Sequence, residues 1–496
     1  MLSSEETALI TDLTGRLSTF QAKNNEKMSY YDGLHKPKNA GVAIPTVMKG
    51  NAPRLGWASV VVDALEERLN FLGWNDPSGK LGLDRVYAAN RLQVESGLAH
   101  LDALIFGTAF VAVGKGDEGE PNPLVTVHPT MRTTGIWDAR KRRLSSAFVV
   151  NPRDRGNPET ATLYEPDFTV QLERKGGEWT EVSRFKHNFS RVPVVMLPNR
   201  TSASMLLGHS EVSAPVRDIV DEASRVLLSM AVNREFFSAP QRIVLGASPH
   251  DVDQWKALMA GIWTIERDED GELPTIDTFP KVDPGPHIDQ LRALAQQLAS
   301  VAGIPEAYFG VAPTANPSSA DAIRAAEVRL IKKAERRASM FGLGWLDVAE
   351  LILLVRDRKV PASYADVTCR WSDPATPTRA AMADEAAKLV GAGILPATSK
   401  IVMDRIGLTD SEQATVAKER TAEPTMASVL AGVVDRQSSD GGGVKDKFDA
   451  LGVAIRAGVD PQSAAREVGL PDVEFTGAVP VSLRLPEKQA DNLEEA

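Results

Sequence analysis

The chain has 496 residues, 43% hydrophobic and 25% charged, enough for substantial cores and too many for one. Those proportions exclude a mainly disordered chain. The 56 Lys and Arg against 66 Asp and Glu leave a net charge of −10, the wrong sign for gripping duplex DNA over the whole surface by counterion release. A single cysteine, Cys369, excludes internal disulfides and cysteine-cluster metal sites. Met1–Glu6 carries acids where a secretion signal needs a basic start, and the uncharged run Ala103–Gly114 has 12 residues, short of a membrane span. The expectation is a soluble protein, made in the cytoplasm, with no membrane partner.

In chain order, Ser3-x-x-Glu6 reads as a capping box opening a helix with Leu9, Leu13, Leu17 and Phe20 on one stripe, stopped at Gly33. Lys36–Pro53 reads as loop, and 56–70 and 83–107 as helices. Short β-rich runs follow at 109–113, 125–128 and 147–150, then a hairpin of 169–173 with 179–184 around Lys175-Gly176-Gly177, and a buried strand at 192–197. A helix over 210–237 carries Val216, Ile219, Ala223, Val226 and Met230 on one face, with Pro215 in its first turn and Pro240 beyond it. Strands at 262–267 and 273–279 flank Asp270-Gly271, and a second helix runs over 288–301, so a small β insert projects between two helices. Residues 303–319, rich in Gly, Pro, Asn and Ser, form a loop. A long helix then carries Ile323, Ala326, Leu330, Ala334, Ala338 and Phe341, with a kink expected at Gly342 and Gly344, before a strand at 367–371. In the last third, Gly393-Ile394-Leu395-Pro396 with Gly407-Leu408 is similar to Gly458-Val459-Asp460-Pro461 with Gly469-Leu470. These read as two helix–turn–helix modules joined by a linker around 438–443, followed by a polar tail from Pro486.

Signatures of chemistry are sparse. Gly114-Lys115-Gly116 lacks the spacing of a phosphate loop. The closest pair of the seven histidines, His187 and His209, is 22 residues apart, so no single helix clamps a metal. Asp268-Glu269-Asp270-Gly271-Glu272 lacks the alternating ligands of a calcium loop and reads as a solvated acidic turn. Cys369 reads as a strand residue, and Arg140–Arg143 as a solvated hairpin end. The long helix carries Arg324, Arg329, Lys332, Lys333, Arg336 and Arg337 against Asp321, Glu327 and Glu335, an excess of three cations. Two readings stay open: a solvated face with pairs such as Glu327 with Arg324, or a subunit interface whose cations meet acids on a neighbour.

Gly303-Ile304-Pro305-Glu306-Ala307-Tyr308-Phe309-Gly310 followed by Asn316-Pro317-Ser318-Ser319-Ala320-Asp321-Ala322-Ile323 resembles the portal proteins of tailed double-stranded-DNA bacteriophages. His187-Asn188, Val192-Pro193-Val194-Val195 with Asn199, and Trp371-x-Asp373-Pro374 add to the resemblance, which spans about residues 1–425 and rests on the order of these elements. It implies an α+β subunit of a ring, typically of twelve copies, at the portal vertex of the virion capsid. The implied parts are an α+β wing (1–208), a stem helix (209–239), a clip (240–285), a second stem helix (286–303), a tunnel loop (304–318), a kinked wing helix with a returning strand (319–375) and a helical crown (376–425). Residues 426–496 would hold the linker, the second helix pair and a disordered tail.

The resemblance assigns Val311, Thr314, Ala315, Asn316, Pro317, Ser318 and Ser319 to a DNA-channel loop, and Asp268, Glu269, Asp270 and Glu272 to a clip docking the motor. Implied partners are further copies of the chain, the terminase large subunit, the head–tail adaptor, the major capsid and scaffold proteins, and duplex DNA passing non-specifically. No catalytic residue, metal or cofactor is expected. The absence of charge from Val311 to Ser319 suits a collar past which DNA slides, since several Lys or Arg contacts would multiply affinity by orders of magnitude. A multidomain enzyme acting on a phosphorylated or nucleic-acid substrate is the alternative, and a shorter kind of head–tail connector a third reading.

Overall fold

Helix α1 (Ser4–Tyr31) starts at a complete capping box: Ser3 Oγ accepts from the Glu6 amide, and the Glu6 carboxylate accepts from the Ser3 amide. Gly33, at φ +65°, lies just beyond its end. The computed structural model describes residues 2–37, 44–51, 53–152, 159–237, 242–245, 275–278, 283–310, 320–375, 379–408, 410–422 and 444–475. Two compact units divide the chain, Met1–Thr376 and Pro377–Ala496. The fold is mixed helix and sheet.

In the first unit, Ile10 and Leu13 of α1 are buried on a five-stranded antiparallel meander, β4 (Thr133–Asp138), β5 (Arg143–Asn151), β6 (Thr160–Tyr164), β7 (Phe168–Lys175) and β8 (Glu178–Lys186). Phe148, Leu163, Val170 and Leu172 meet them from the sheet, as a period of two requires. The expected β7–β8 hairpin turns on Gly176 and Gly177, both at positive φ. A three-stranded sheet places β2 (Thr108–Gly114) between β3 (Leu124–His128) and β9 (Val194–Pro198), all antiparallel.

The largest core lies where α2 (Trp57–Glu66), α4 (Leu92–Phe106), α5 (Ala214–Phe237), α6 (Gly285–Ala302) and the long α7 (Ala320–Asp357) meet β2 and β9. Val216, Ile219, Ala223 and Val226 bury the anticipated face of α5, and α5 packs along α6. The apolar stripe of α7 is buried from Leu330 onward. Within Ala325–Asp357 of α7 an 18-residue window has a mean hydropathy of 1.7, long and apolar enough by composition to cross a membrane. Spacing of charges alone hid this, and the fold accounts for it: Phe341, Trp345, Val348, Ala349 and Ile352 are core residues.

Three local departures from the sequence reading have physical causes. The helix expected over 83–107 is two, α3 (Leu83–Ala89) and α4, because the buried Asn90 side chain donates to the Val86 and Pro123 carbonyls and accepts from the Val125 amide while Arg91 takes φ +51°. Strand β1 (Phe71–Asn75), hidden by the bulged Gly73 at φ +96°, pairs with β12 (Thr368–Trp371) from the far end of the unit. The loop before α2 contains a 3₁₀ turn at Thr46–Asn51.

At the centre of the core His100 is fully buried, stacks on Phe341 and accepts at Nε2 from the Trp345 indole N–H at 2.9 Å. A proton on Nε2 would face that donor. Burial, opposed by a smaller pull from the Leu69 backbone, holds His100 down to about 3, and burial holds His128 down to about 4. Both folded values lie below the ordinary 6.5, so this stability is present above pH 6.5 and falls as the pH drops. Each histidine should cost on the order of 2 kcal/mol by pH 5. Denaturation between pH 7.5 and 5 should show a steeper acid loss in the natural chain than in His100→Asn; equal slopes would contradict it.

In the second unit the repeat is real in its hydrogen bonds. Helix α8 (Arg379–Gly391) ends with Gly393 N–H on Val390 O and Ile394 N–H on Leu389 O; α11 (Val444–Arg456) ends with Gly458 N–H on Ile455 O and Val459 N–H on Ala454 O. The short helices α9 (Lys400–Arg405) and α12 (Pro461–Glu467) both close on Gly-Leu, with Leu408 N–H on Met403 O and Leu470 N–H on Ala465 O. The first copy opens α9 on a Ser399 cap rather than on Pro396, while Pro461 opens α12 as anticipated. Helix α10 (Asp410–Ala422) follows the first copy.

Candidate functional site: the joint of α5, α6 and α7

Helix α4 ends at Gly107, φ +102°, whose carbonyl accepts from the Asn199 amide at 2.8 Å. Asn199 just after β9 is fully buried; its carbonyl accepts from the His209 amide, and its side-chain amide donates to His209 O and to Glu211 Oε1. Gly208, at φ +84°, lies so close that an added Cβ would overlap the Gly107 carbonyl oxygen. Ser210 Oγ donates to Ile105 O and the Glu211 amide to Leu104 O, fixing the chain entering α5 against the end of α4.

The Glu211 carboxylate, 6% exposed, receives Arg337 at 2.8 Å and Lys333 at 3.1 Å from α7. Burial alone would push its acid up, but Lys333 and then Arg337 outweigh that and hold it at about 2. Burial pushes the Lys333 ammonium down while Glu211 pulls it up; an ionised carboxylate between two cations is the arrangement the contacts favour. Lys333 also donates to Ala302 O and Arg329 to Ser300 O, so α7 cations satisfy free carbonyls in the last turn of α6. One buried acid thus ties the entry to α5 and, through Lys333, the end of α6 to α7.

A second knot lies beside it. Arg68 donates to Pro374 O, Tyr308 Oη and Glu327 Oε1, and Tyr308 Oη donates to the same carboxylate oxygen at 2.8 Å. Burial and the neighbouring Glu327 raise the Tyr308 phenol. Phe309, in the 3₁₀ turn Glu306–Phe309, packs edge-on against Trp57. The chain is therefore fixed up to Gly310 on one side and by Glu327 on the other.

Val311, Thr314, Ala315, Asn316, Pro317, Ser318 and Ser319 lie outside the described residues, as do Asp268, Glu269, Asp270 and Glu272 and the strand expected at 262–267. In the insert, β10 (Arg242–Leu245) pairs antiparallel with β11 (Thr275–Thr278). Helix α7 is continuous through Gly342 and Gly344, where Cys369 and Leu197 respectively come against the helix backbone; a Cβ on Gly344 would overlap the Leu197 side chain. Glu327 turns inward to Arg68. Cys369 Sγ donates to Gly342 O, and burial pushes its thiol up to about 12, an unreactive state. Sequence reasoning noted Lys333 and Arg337 as cations and missed Glu211, whose only signal is an acid just before an apolar helix. Among the described residues no three His, Cys, Asp or Glu side chains converge as a metal site would need.

The family described as phage portal protein, SPP1 Gp6-like, matches residues 21–424, most of the chain. The chain belongs to the phage portal protein family. Portal proteins of Mycobacterium phages L5 and D29 are each 34% identical to it, over 74% and 76% of this chain and 78% and 81% of theirs. Among solved structures, a chain of the virion of a native gene transfer agent particle aligns over 78% of this chain and 93% of its own, with a TM-score of 0.43 and 14% identity. A chain from the neck of the empty particle computed with C6 symmetry gives 0.44 and 17%, over 71% of this chain and 90% of its own. Portal proteins are structural components of the virion and not enzymes, which sets aside the enzyme alternative. The joint then reads as a fastening of helices, its carboxylate, ammonium and guanidinium committed to one another and to the end of α6.

Proposed function

We propose that copies of this chain form a ring channel, of about twelve subunits, at one capsid vertex, through which double-stranded DNA is packaged and later ejected. The uncharged run Val311–Ser319, bounded by two anchored segments, carries this reading. The last ten residues of α6, Ala293–Ala302, support it, because they contain no charge. Twelve copies at −10 give a ring of −120 formal charges, which discourages duplex from adhering. In this reading residues 1–208 and α7, bent at Gly342 and Gly344, form the wing with β12; α5 and α6 form the stem; and 376–425 forms the crown. The clip, 240–285, with Asp268, Glu269, Asp270 and Glu272 at its tip, docks the terminase large subunit and then the head–tail adaptor. Major capsid and scaffold proteins surround the ring during assembly in the host cytoplasm.

Negative-stain images of the purified full chain should show rings with a central hole. Strictly monomeric protein at micromolar concentration, with and without scaffold, would oppose the reading. Asn316→Arg with Ser318→Arg should leave rings intact and slow packaging by about tenfold or trap DNA, because each added phosphate contact raises affinity. Unchanged passage would reject a lumenal loop. Deleting 262–279 should abolish terminase binding in a pull-down while the wing retains its melting transition; normal binding would reject the clip assignment.

A further inference from the structure

A closed ring of identical chains needs two different faces on each subunit, one receiving the other, on opposite sides. Two such faces exist across the layer formed by α4 and α7. His100 of α4 contacts Phe341 and Trp345 of α7, which fixes the sides on which these helices meet. At 100° per residue, Lys332, Arg336 and Leu343 fall within about 40° of the direction opposite Phe341. On α4, Val94 and Leu98 fall within about 60° of the direction opposite His100. The two faces therefore look outward in opposite directions.

Both lack a cover, and their charges are complementary. Leu343 is 68% exposed and Val94 65%, high for large aliphatic side chains in a unit with an extensive core. Lys332 has only an exposed pair with Glu335 one turn away, which is worth little, and Arg336 has no ion pair among the described residues. On the other side Glu66 of α2 borders the α4 face: its Oε1 lies 3.2 Å from where a Cβ on Gly97 would stand. Glu66 stands near Asp63 and Glu67 with no ion pair among the described residues, and burial followed by these like charges raises its acid. A cation from outside would relieve that repulsion. Other described cations of α7 are already committed, Lys333 and Arg337 to Glu211, Arg329 to Ser300 O and Arg356 to Asp357 and Leu81 O, so these α7 charges divide between internal fastenings and an outward face.

We propose that neighbouring subunits join through these faces, with Glu66, Val94 and Leu98 of one chain receiving Lys332, Arg336 and Leu343 of the next; this rests on the ring reading above. Glu66→Lys and Arg336→Glu, each made in the full chain, place like charges at every joint and should leave monomers that melt like the natural chain. Mixed in equal amounts they should form rings again, because alternating copies restore opposite charges at both joints. Sedimentation and negative stain read the outcome, with at least a tenfold rise expected in the concentration needed for half-assembly of either variant alone. Rings from either variant at natural concentrations, or a mixture that stays monomeric while both variants are folded, would overturn the assignment. Should Glu66→Lys fail to fold, Leu98→Asp and Leu343→Asp test the apolar half of the same joint, and unimpaired rings from both would again overturn it. A natural chain that forms no rings refutes the ring reading itself, a result separate from the variants.

Discussion

Replacing Glu211 by Ala should lower the stability of the first unit by about 3–5 kcal/mol, because Lys333 and Arg337 would remain buried without their counter-charge. The acid behaviour gives an independent measure. The Glu211 carboxyl titrates at about 2 in the fold against an ordinary 4.5. A depressed acid contributes stability above pH 4.5 that is lost as the pH falls toward 2, in this case about 3 kcal/mol. Glu211→Gln keeps the shape and removes that titration, so its denaturation profile should be flatter than the natural one below pH 4.5. Assembly of the proposed ring should suffer with the subunit, since the same carboxylate orders the entry to α5 and, through Lys333, the end of α6. A Glu211→Ala chain with an unchanged denaturant midpoint would remove the joint from the account.

Gly208→Ala should be nearly as damaging, for a different reason. At φ +84° any Cβ is strained by about 1–2 kcal/mol, and at this position it also overlaps backbone oxygens of Gly107 and Asn199, which cannot move without breaking the bonds they accept. The combined loss should reach about 3 kcal/mol or more. Gly79 is the control: it has φ +63° with nothing within 4 Å of an added Cβ, so Gly79→Ala should cost only the conformational strain. Urea midpoints of the two variants should differ accordingly, and equal midpoints would show that close packing at the joint is not what Gly208 provides.

Periodicity revealed the elements that carry their own signal. The Ser3–Glu6 box, the Gly176-Gly177 turn, the stripe Val216–Val226 and the glycine-closed helix pairs of the second unit were all legible because a local pattern specifies each of them. Strand β1 was not legible, since its five residues include a bulged glycine and its partner lies near residue 370. Asn90 divided a helix that apolar spacing made continuous, because its amide answers a strand rather than its own turn. Gly344 of α7 illustrates the same limit: the missing side chain there is a contact surface for Leu197 of β9, a neighbour that no local pattern names.

The order of elements, the uncharged run at Val311–Ser319 and the family itself were determined by the amino-acid sequence, because each depends on neighbours along the chain. Which cations of α7 are inside and which outside was decided only by tertiary structure. Glu211 lies 122 residues before Lys333 and 126 before Arg337; helical spacing turns Lys332 and Lys333 about 100° apart, but nothing local names the acid that Lys333 meets. The fold separates them by the rotation of a helix, turning one toward a buried carboxylate and its neighbour toward water.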